Sequence, residues 1–371
     1  MSYSFLELAT SGIQKLTPYQ PGKSVAELER ELGISNSIKL ASNENPLGPS
    51  ALALSAIEEN ASSINYYPEG GYALSNKLAL LHQVDPANIT LGNGSNEILE
   101  LVTRAFLTPQ HSAVFSEYSF AVYPIVVQAV GAKAHVAKAF PEDHQTMPLG
   151  HDPDALLAQV DDSTRIIFIA NPNNPTGTWL TPDALENLFS RIAQDVIIVL
   201  DLAYTEYMDE DVKPPLGKWL QQLPNLVVTQ TFSKVYGLAG LRIGYSISNI
   251  EIANILNRAR QPFNTNSLAQ AAAIASLDDE EHVINSVSMN NAGKAYLQGA
   301  FSDMGLRYLP TMGNFISVNV EQDGMALYQR LLQQGVIVRP VTNYAMPDYL
   351  RITIGMQQQN ERFIETFRQC L

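Results

Sequence analysis

Lys234 stands where a lysine can become a nucleophile. It follows the apolar run NLVVTQT (Asn225–Thr231) inside TFSKVYGLAGLRIGY (Thr231–Tyr245), with Ser233 beside it and Arg242 eight residues on. A lysine at a strand end beside a crevice loses its proton through desolvation and neighbouring positive charge, which leaves an amine free to attack a carbonyl. Ser233 and Arg242 add a hydroxyl and a bidentate cation, a pair suited to a phosphate. A second cluster, DLAY (Asp201–Tyr204), closes the run VIIVLD (Val196–Asp201). An aspartate there is costly to bury unless it is hydrogen-bonded or faces a cation such as a protonated ring nitrogen. Tyr204, three residues on, can reach the same ligand. NPNNPTG (Asn171–Gly177) follows RIIFIA (Arg165–Ala170); its prolines stiffen a loop from which Asn174 can turn an amide inward. GNGSNE (Gly92–Glu97) is a glycine-rich turn opening a helix, so its free N–H groups can face an anion. It departs from the dinucleotide fingerprint, because Glu97 stands where the third glycine belongs. Taken singly, each cluster also reads as plain structure: a loop lysine, a capping aspartate, an Asn-Pro turn, a helix cap.

The surrounding elements would bring these clusters together. SAVFSEY (Ser112–Tyr118), RIIFIA, VIIVLD, NLVVTQT and LRIGYSI (Leu241–Ile247) are short apolar runs, as expected of strands buried on both faces. Helical stretches such as Pro182 to Ala193 separate several of them, so the pattern predicts an α/β domain with a mostly parallel sheet and helices on both faces. Ligands of such sheets sit outside the carboxyl ends of the strands, where the clusters lie. A helix over Leu52–Asn60 follows the turn-rich loop SNENPLGPS (Ser42–Ser50). Residues 1–40, with Pro18 and the Pro21-Gly22 pair, read as an N-terminal arm; residues 41–262 form the large domain. From about Pro262 the texture changes. An Ala-rich helix (Ser267–Leu277), FISVNV (Phe315–Val320), VIVRP (Val336–Pro340), YLRITIG (Tyr349–Gly355) and a final helix make a smaller α+β domain over 263–371.

The chain has 371 residues, 46% hydrophobic and 16% charged, which suits a packed globular protein. A net charge of −14 disfavours nucleic acid and anionic membrane as partners. Cys370 is the single cysteine, so no intrachain disulfide forms and a reducing compartment is expected. Met1–Thr10 carries no secretory signal, and no apolar run approaches the roughly 20 residues that span a bilayer. A cytoplasmic location follows as an expectation. The six histidines lack ligand-like spacing, so no metal is expected.

In this order and at these spacings, the clusters resemble the fold-type I pyridoxal-phosphate aminotransferases, over almost the whole chain. The specific pieces are NNPTG, the strand-end Asp201 with Tyr204, and SK followed by LAGLRIG. KLASNENPLGPS (Lys39–Ser50), NYYPEGG (Asn65–Gly71) and YLRITIG are similar to the histidinol-phosphate aminotransferases of class II. That resemblance implies transfer of an amino group from L-histidinol phosphate to 2-oxoglutarate, giving imidazole-acetol phosphate and glutamate, in L-histidine biosynthesis. It implies pyridoxal 5'-phosphate as cofactor and a homodimer with shared active sites.

The resemblance also implies roles. Lys234 carries the cofactor as a Schiff base and shuttles a proton; Asp201 keeps the pyridine nitrogen protonated. Asn174 and Tyr204 bond the ring O3'. Gly94, Ser95, Asn96, Thr231, Ser233 and Arg242 hold the phosphate, Phe120 stacks on the ring, and Tyr67 reaches the phosphate from the neighbouring subunit. Arg351 grips the substrate carboxylate, Arg339 lies near the distal substrate group, and Tyr19 and Asn43 contact the substrate. Two positions depart from the family pattern. Leu202 replaces a glutamate, but a side chain after Asp201 on a strand points to the other face. Phe120 replaces a tyrosine, which keeps stacking and drops a hydroxyl. The same Lys, Asp and Arg set serves related enzymes that transaminate aromatic amino acids and a branch that decarboxylates threonine phosphate. A non-catalytic protein that kept this fold is the alternative of another class, against which the intact Lys234, Asp201 and Arg351 weigh.

Overall fold

The computed structural model describes residues 4–19 and 22–371; Pro21 of the Pro21-Gly22 pair lies outside them. Its strands are β1 (Ile38–Lys39), β2 (Ile89–Gly92), β3 (Ser112–Ser116), β4 (Lys133–Ala137), β5 (Thr164–Ala170) and β6 (Ile197–Asp201). There follow β7 (Leu226–Thr231), β8 (Gly244–Ser248), β9 (Phe315–Asn319), β10 (Val336–Ile337), β11 (Arg339–Pro340) and β12 (Tyr349–Thr353).

Seven strands form the central sheet in the order β2-β8-β7-β6-β5-β3-β4. All neighbours run parallel except β8, which is antiparallel to both β2 and β7. Alternation along β5 explains its apolar run. Ile166 and Phe168 enter one core with Ile98, Val102, Val127 and Leu256, from helices on one face. Ile167 and Ile169 enter another with Leu185, Leu188 and Trp219, from helices on the opposite face. A strand buried on both faces has no polar side to show. Leu202 joins the second core, on the face away from the Asp201 carboxyl.

β11, β12 and β9 form a smaller antiparallel sheet. Ile316, Val318, Leu350 and Ile352 pack there with Leu297 and Phe301 of the helix Glu280–Asp303 and with Phe363 and Phe367 of the helix Gln357–Cys370. The N-terminal segment joins this unit: β1 pairs parallel with β10, and Leu40 enters the same core. Ser42–Ser50 therefore begins from the C-terminal sheet and crosses to the large one. Among the described residues no helix is long and apolar enough to cross a membrane.

Candidate active site

One cavity collects the carboxyl ends of β5, β6 and β7, the turn before the helix Ser95–Phe106, the 41–43 segment and the arginines of β11 and β12. Of the residues singled out from the sequence, Tyr19, Asn43, Ser95, Asn96, Phe120, Asn174, Asp201, Tyr204, Thr231, Ser233, Lys234, Arg242, Arg339 and Arg351 line it. Gly94 sits at its rim beside Arg242. Tyr67 does not line it: the ring is 81% exposed and stacks on Phe263.

Lys234 is half-buried, with its amine on the cavity. Its Nζ donates to the Ser42 carbonyl at 3.3 Å and lies 5.5 Å from the centre of the Tyr204 ring. Burial, reinforced by the Arg351 charge, lowers its pKa to about 8. The neutral amine is therefore far easier to reach near neutral pH than in a solvent-exposed lysine.

Asp201 ends β6 and is only 5% exposed. Its Oδ2 accepts from the Tyr123 hydroxyl at 3.0 Å, while Oδ1 is buried without a hydrogen-bond partner. Burial pushes this carboxyl up, and the Tyr123 hydroxyl and nearby Thr229 pull it back. Thr229 is the register partner of Asp201 on β7, yet its hydroxyl reaches no bonding geometry. A buried carboxylate oxygen without a hydrogen-bond partner calls for a donor, and Asp201 lines the cavity. Tyr123 is stacked on Phe168 at 4.7 Å and edge-on to Phe120 at 5.8 Å, so the donor is rigidly held.

The loop 171–177 is stapled to itself. Asn171 exchanges hydrogen bonds with Leu180, and Asn173 donates to Thr176 and to the Tyr118 carbonyl. Both Asn–Pro bonds of the loop are cis. Asn174 lines the cavity, where its Oδ1 accepts from Arg351 Nη1 at 2.6 Å. Arg351, 6% exposed, also donates to the Ala41 carbonyl at 2.8 Å and lies over Phe315 at 5.3 Å. Its buried Nε has no partner. Asn43 donates to the Tyr204 hydroxyl at 2.9 Å and is itself fixed by Thr353 and Asn314. Burial pushes the Tyr204 phenol up to about 12, so it stays protonated.

At the other end of the cavity, Arg242 Nη1 donates to Ser233 Oγ at 3.2 Å, and the Ser233 amide donates to Thr231 Oγ1 at 3.1 Å. A Cβ on Gly94 (φ +78°) would sit 2.3 Å from Arg242 Nη2, and one on Gly244 would sit 2.5 Å from the Ser95 amide. Two glycines thus let the backbone at the start of the helix Ser95–Phe106 lie close against the Arg242 guanidinium and against β8. Arg339 lies on β11 directly opposite Arg351, with its guanidinium 5.7 Å from the Tyr19 ring, and Tyr344 closes the same end. Sequence reading missed Tyr123, Tyr344 and the Ser42 carbonyl. The first two are buried tyrosines of a kind that usually packs a core, and a main-chain carbonyl carries no residue type to notice.

A family model described as aminotransferase class I and II matches residues 35–367. Histidinol-phosphate aminotransferase 2 of Pseudomonas aeruginosa is 51% identical over 370 residues, 99% of this chain and 98% of that protein. Histidinol-phosphate aminotransferase 1 of Nitrosococcus oceani is 47% identical over 370 residues, with 99% and 98% covered. Among solved structures, histidinol-phosphate aminotransferase from Sinorhizobium meliloti in complex with pyridoxal-5'-phosphate superposes with a TM-score of 0.87 at 26% identity, covering 98% of each chain.

Proposed function

The chain belongs to the class I and II aminotransferases, and from that premise we propose that it transfers the amino group of L-histidinol phosphate to 2-oxoglutarate with pyridoxal phosphate, in L-histidine biosynthesis. The observation that carries the cofactor is Asp201, a carboxylate buried at a strand end whose Oδ1 lacks a hydrogen-bond partner, lining the same cavity as the softened amine of Lys234. A pyridinium N–H and an aldehyde on one ring fit those two groups. The glycine-lined spot at Arg242 fits the ring's phosphate.

The residues divide the work as follows. Asp201, with Tyr123 donating to its Oδ2, would hold the proton on the pyridine nitrogen. Asn174 and Tyr204 donate to O3', and Phe120 covers the ring. Gly94, Ser95, Asn96, Thr231, Ser233 and Arg242 hold the phosphate. When bound, the cofactor supplies an electron sink for the pair released at the substrate Cα. Lys234, whose burial brings its neutral amine within easier reach, would take up and return the proton of the substrate Cα. Arg351 and Arg339 hold the anionic end of the substrate, with Asn43 and Tyr19 closing over it. The same two arginines serve the carboxylates of the second substrate pair.

We assign a homodimer in which Tyr67 completes the partner's phosphate site. Its exposure, and that of Tyr66, Ile64, Tyr72, Leu80 and Leu81 around it, supports a surface covered by a second copy. A single, half-buried cysteine supports a reducing compartment, and we assign the cytoplasm. The test is a panel of amino donors with 2-oxoglutarate. Histidinol phosphate should give the highest kcat/KM, and the visible absorbance of the bound cofactor should bleach on its addition; a preference for phenylalanine or tyrosine would overturn the substrate.

A further inference from the structure

Phe263 is an aromatic residue 55% exposed to solvent, held at φ +58°. A side chain in the left-handed region is costly, and a bulky exposed ring gains little burial to offset it. Its neighbours hold it there. Asn264 Nδ2 donates to Glu97 Oε2 at 2.6 Å and to the Leu91 carbonyl at 3.1 Å, while its Oδ1 accepts from Arg260 at 3.1 Å. The same Glu97 oxygen accepts from the Asn93 amide at 2.6 Å, inside the glycine-rich turn. Asn266 donates to the carbonyl of Leu241, the residue before Arg242, at 3.0 Å. Gln270 donates to the backbone and hydroxyl of Thr265 at 3.0 Å and to the Glu69 carbonyl at 3.4 Å.

Residues 263–266 are thus pinned to both arms of this subunit's phosphate cradle and, through Gln270, to the segment that bears Tyr67. The strained backbone at Phe263 aims its ring at that tyrosine: the two rings stack with centres 4.6 Å apart at 22°. We propose that Phe263 is the positioning residue of Tyr67, a fixed platform that holds the phenol in one rotamer for delivery to the neighbouring subunit's phosphate. An exposed tyrosine without such a platform loses rotamer freedom on each engagement, which weakens what it binds. This inference rests on the reading above, that Tyr67 completes the partner's site.

The test uses the holo-dimer and the dissociation constant of pyridoxal phosphate, followed by the cofactor's absorbance. Glycine accepts φ +58° without strain, so Phe263→Gly removes the ring and spares the fold. Its Kd should rise roughly three- to tenfold, the worth of a stacked aromatic pair. Phe263→Tyr should bind as wild type, and Phe263→Gly should add nothing to Tyr67→Ala. In a mixed dimer of Phe263→Gly with Lys234→Ala, the subunit that keeps Lys234 receives an intact Tyr67 and should bind cofactor with wild-type affinity. A weak live site there would mean that Phe263 acts within its own subunit, which overturns the proposal. Unchanged affinity in Phe263→Gly while Tyr67→Ala is weakened overturns it too and leaves the shared-site reading standing. Unchanged affinity in Tyr67→Ala removes that reading itself.

Discussion

Burial acts in opposite directions on two ionisable side chains of the cavity. The Lys234 amine titrates near 8 because it is desolvated and faces Arg351. A lowered lysine pKa means the neutral form is gained as pH rises through about 8 instead of the usual range above 10. Attachment of pyridoxal phosphate to the apo-protein should therefore accelerate up to about pH 8 and then level off; a rate still climbing at pH 10 would place the lysine in ordinary solvent. Lys234→Ala should bind cofactor without a borohydride-reducible linkage and should not turn over. Asp201 moves the opposite way, raised by burial and pulled back by the Tyr123 hydroxyl. Tyr123→Phe removes that donor, so the carboxyl titrates higher still. The acid limb of the kcat profile should shift to higher pH, with kcat down about tenfold, the worth of a hydrogen bond to a charged group. An unshifted limb would show that Tyr123 only packs. Asp201 was legible because a charged group at the end of a wholly apolar run is an anomaly in a sequence, and Lys234 because it follows a strand-like run with Ser233 beside it and Arg242 eight residues on. Tyr123 was not, since its hydroxyl finds Asp201 across 78 residues of chain.

At the level of strands and turns, the carboxyl ends of β5, β6 and β7 and the loops that leave them deliver Asn174, Asp201 and Lys234 to one place because those strands are adjacent and parallel. That much followed from apolar runs ending in polar clusters. β4 and β2 escaped the same reading for physical reasons. β4 (KAHVA) is an edge strand, mostly exposed, and carries a charge and a histidine. β2 has four residues and runs straight into the glycine-rich turn. The pairing of β1 with β10 was also invisible, being two residues long with no periodicity to detect. The glycine-rich turn itself makes a sharp prediction. Gly94→Ala places a methyl into the left-handed region and against the Arg242 guanidinium, driving it from Ser233. Cofactor affinity should fall on the order of tenfold from the lost charged hydrogen bond, with a stability loss of about 1–3 kcal/mol. Wild-type binding by the variant would remove Arg242 from the phosphate site. The antiparallel register that sets Arg339 opposite Arg351 has a similar consequence. Directly paired residues keep their Cβ atoms about 5 Å apart, so the two arginines start from neighbouring points and line the same cavity.

Considered whole, the molecule presents Tyr67 outward and keeps Lys234 inward, so the two should complement each other between subunits. Lys234→Ala and Tyr67→Glu should each be inactive alone. In an exchanged mixture half the dimers are mixed, and each carries one site with both lesions and one with neither. Activity should recover to roughly a quarter of wild type. A mixture that stays inactive, with mixed dimers confirmed by mass, would place Tyr67 in its own subunit's site. The 41–43 segment points to a different consequence. Its carbonyls and Asn43 bond to Lys234 of the large sheet and to Arg351 and Thr353 of the small one, and the last of these partners lies 310 residues further along the chain. A nascent chain on the ribosome therefore exposes this seam early and cannot close it until β12 has emerged. Completion of the substrate end of the pocket therefore waits for the last part of synthesis: chains stalled before residue 349 hold the lysine and the glycine-rich turn but lack the strand that carries Arg351.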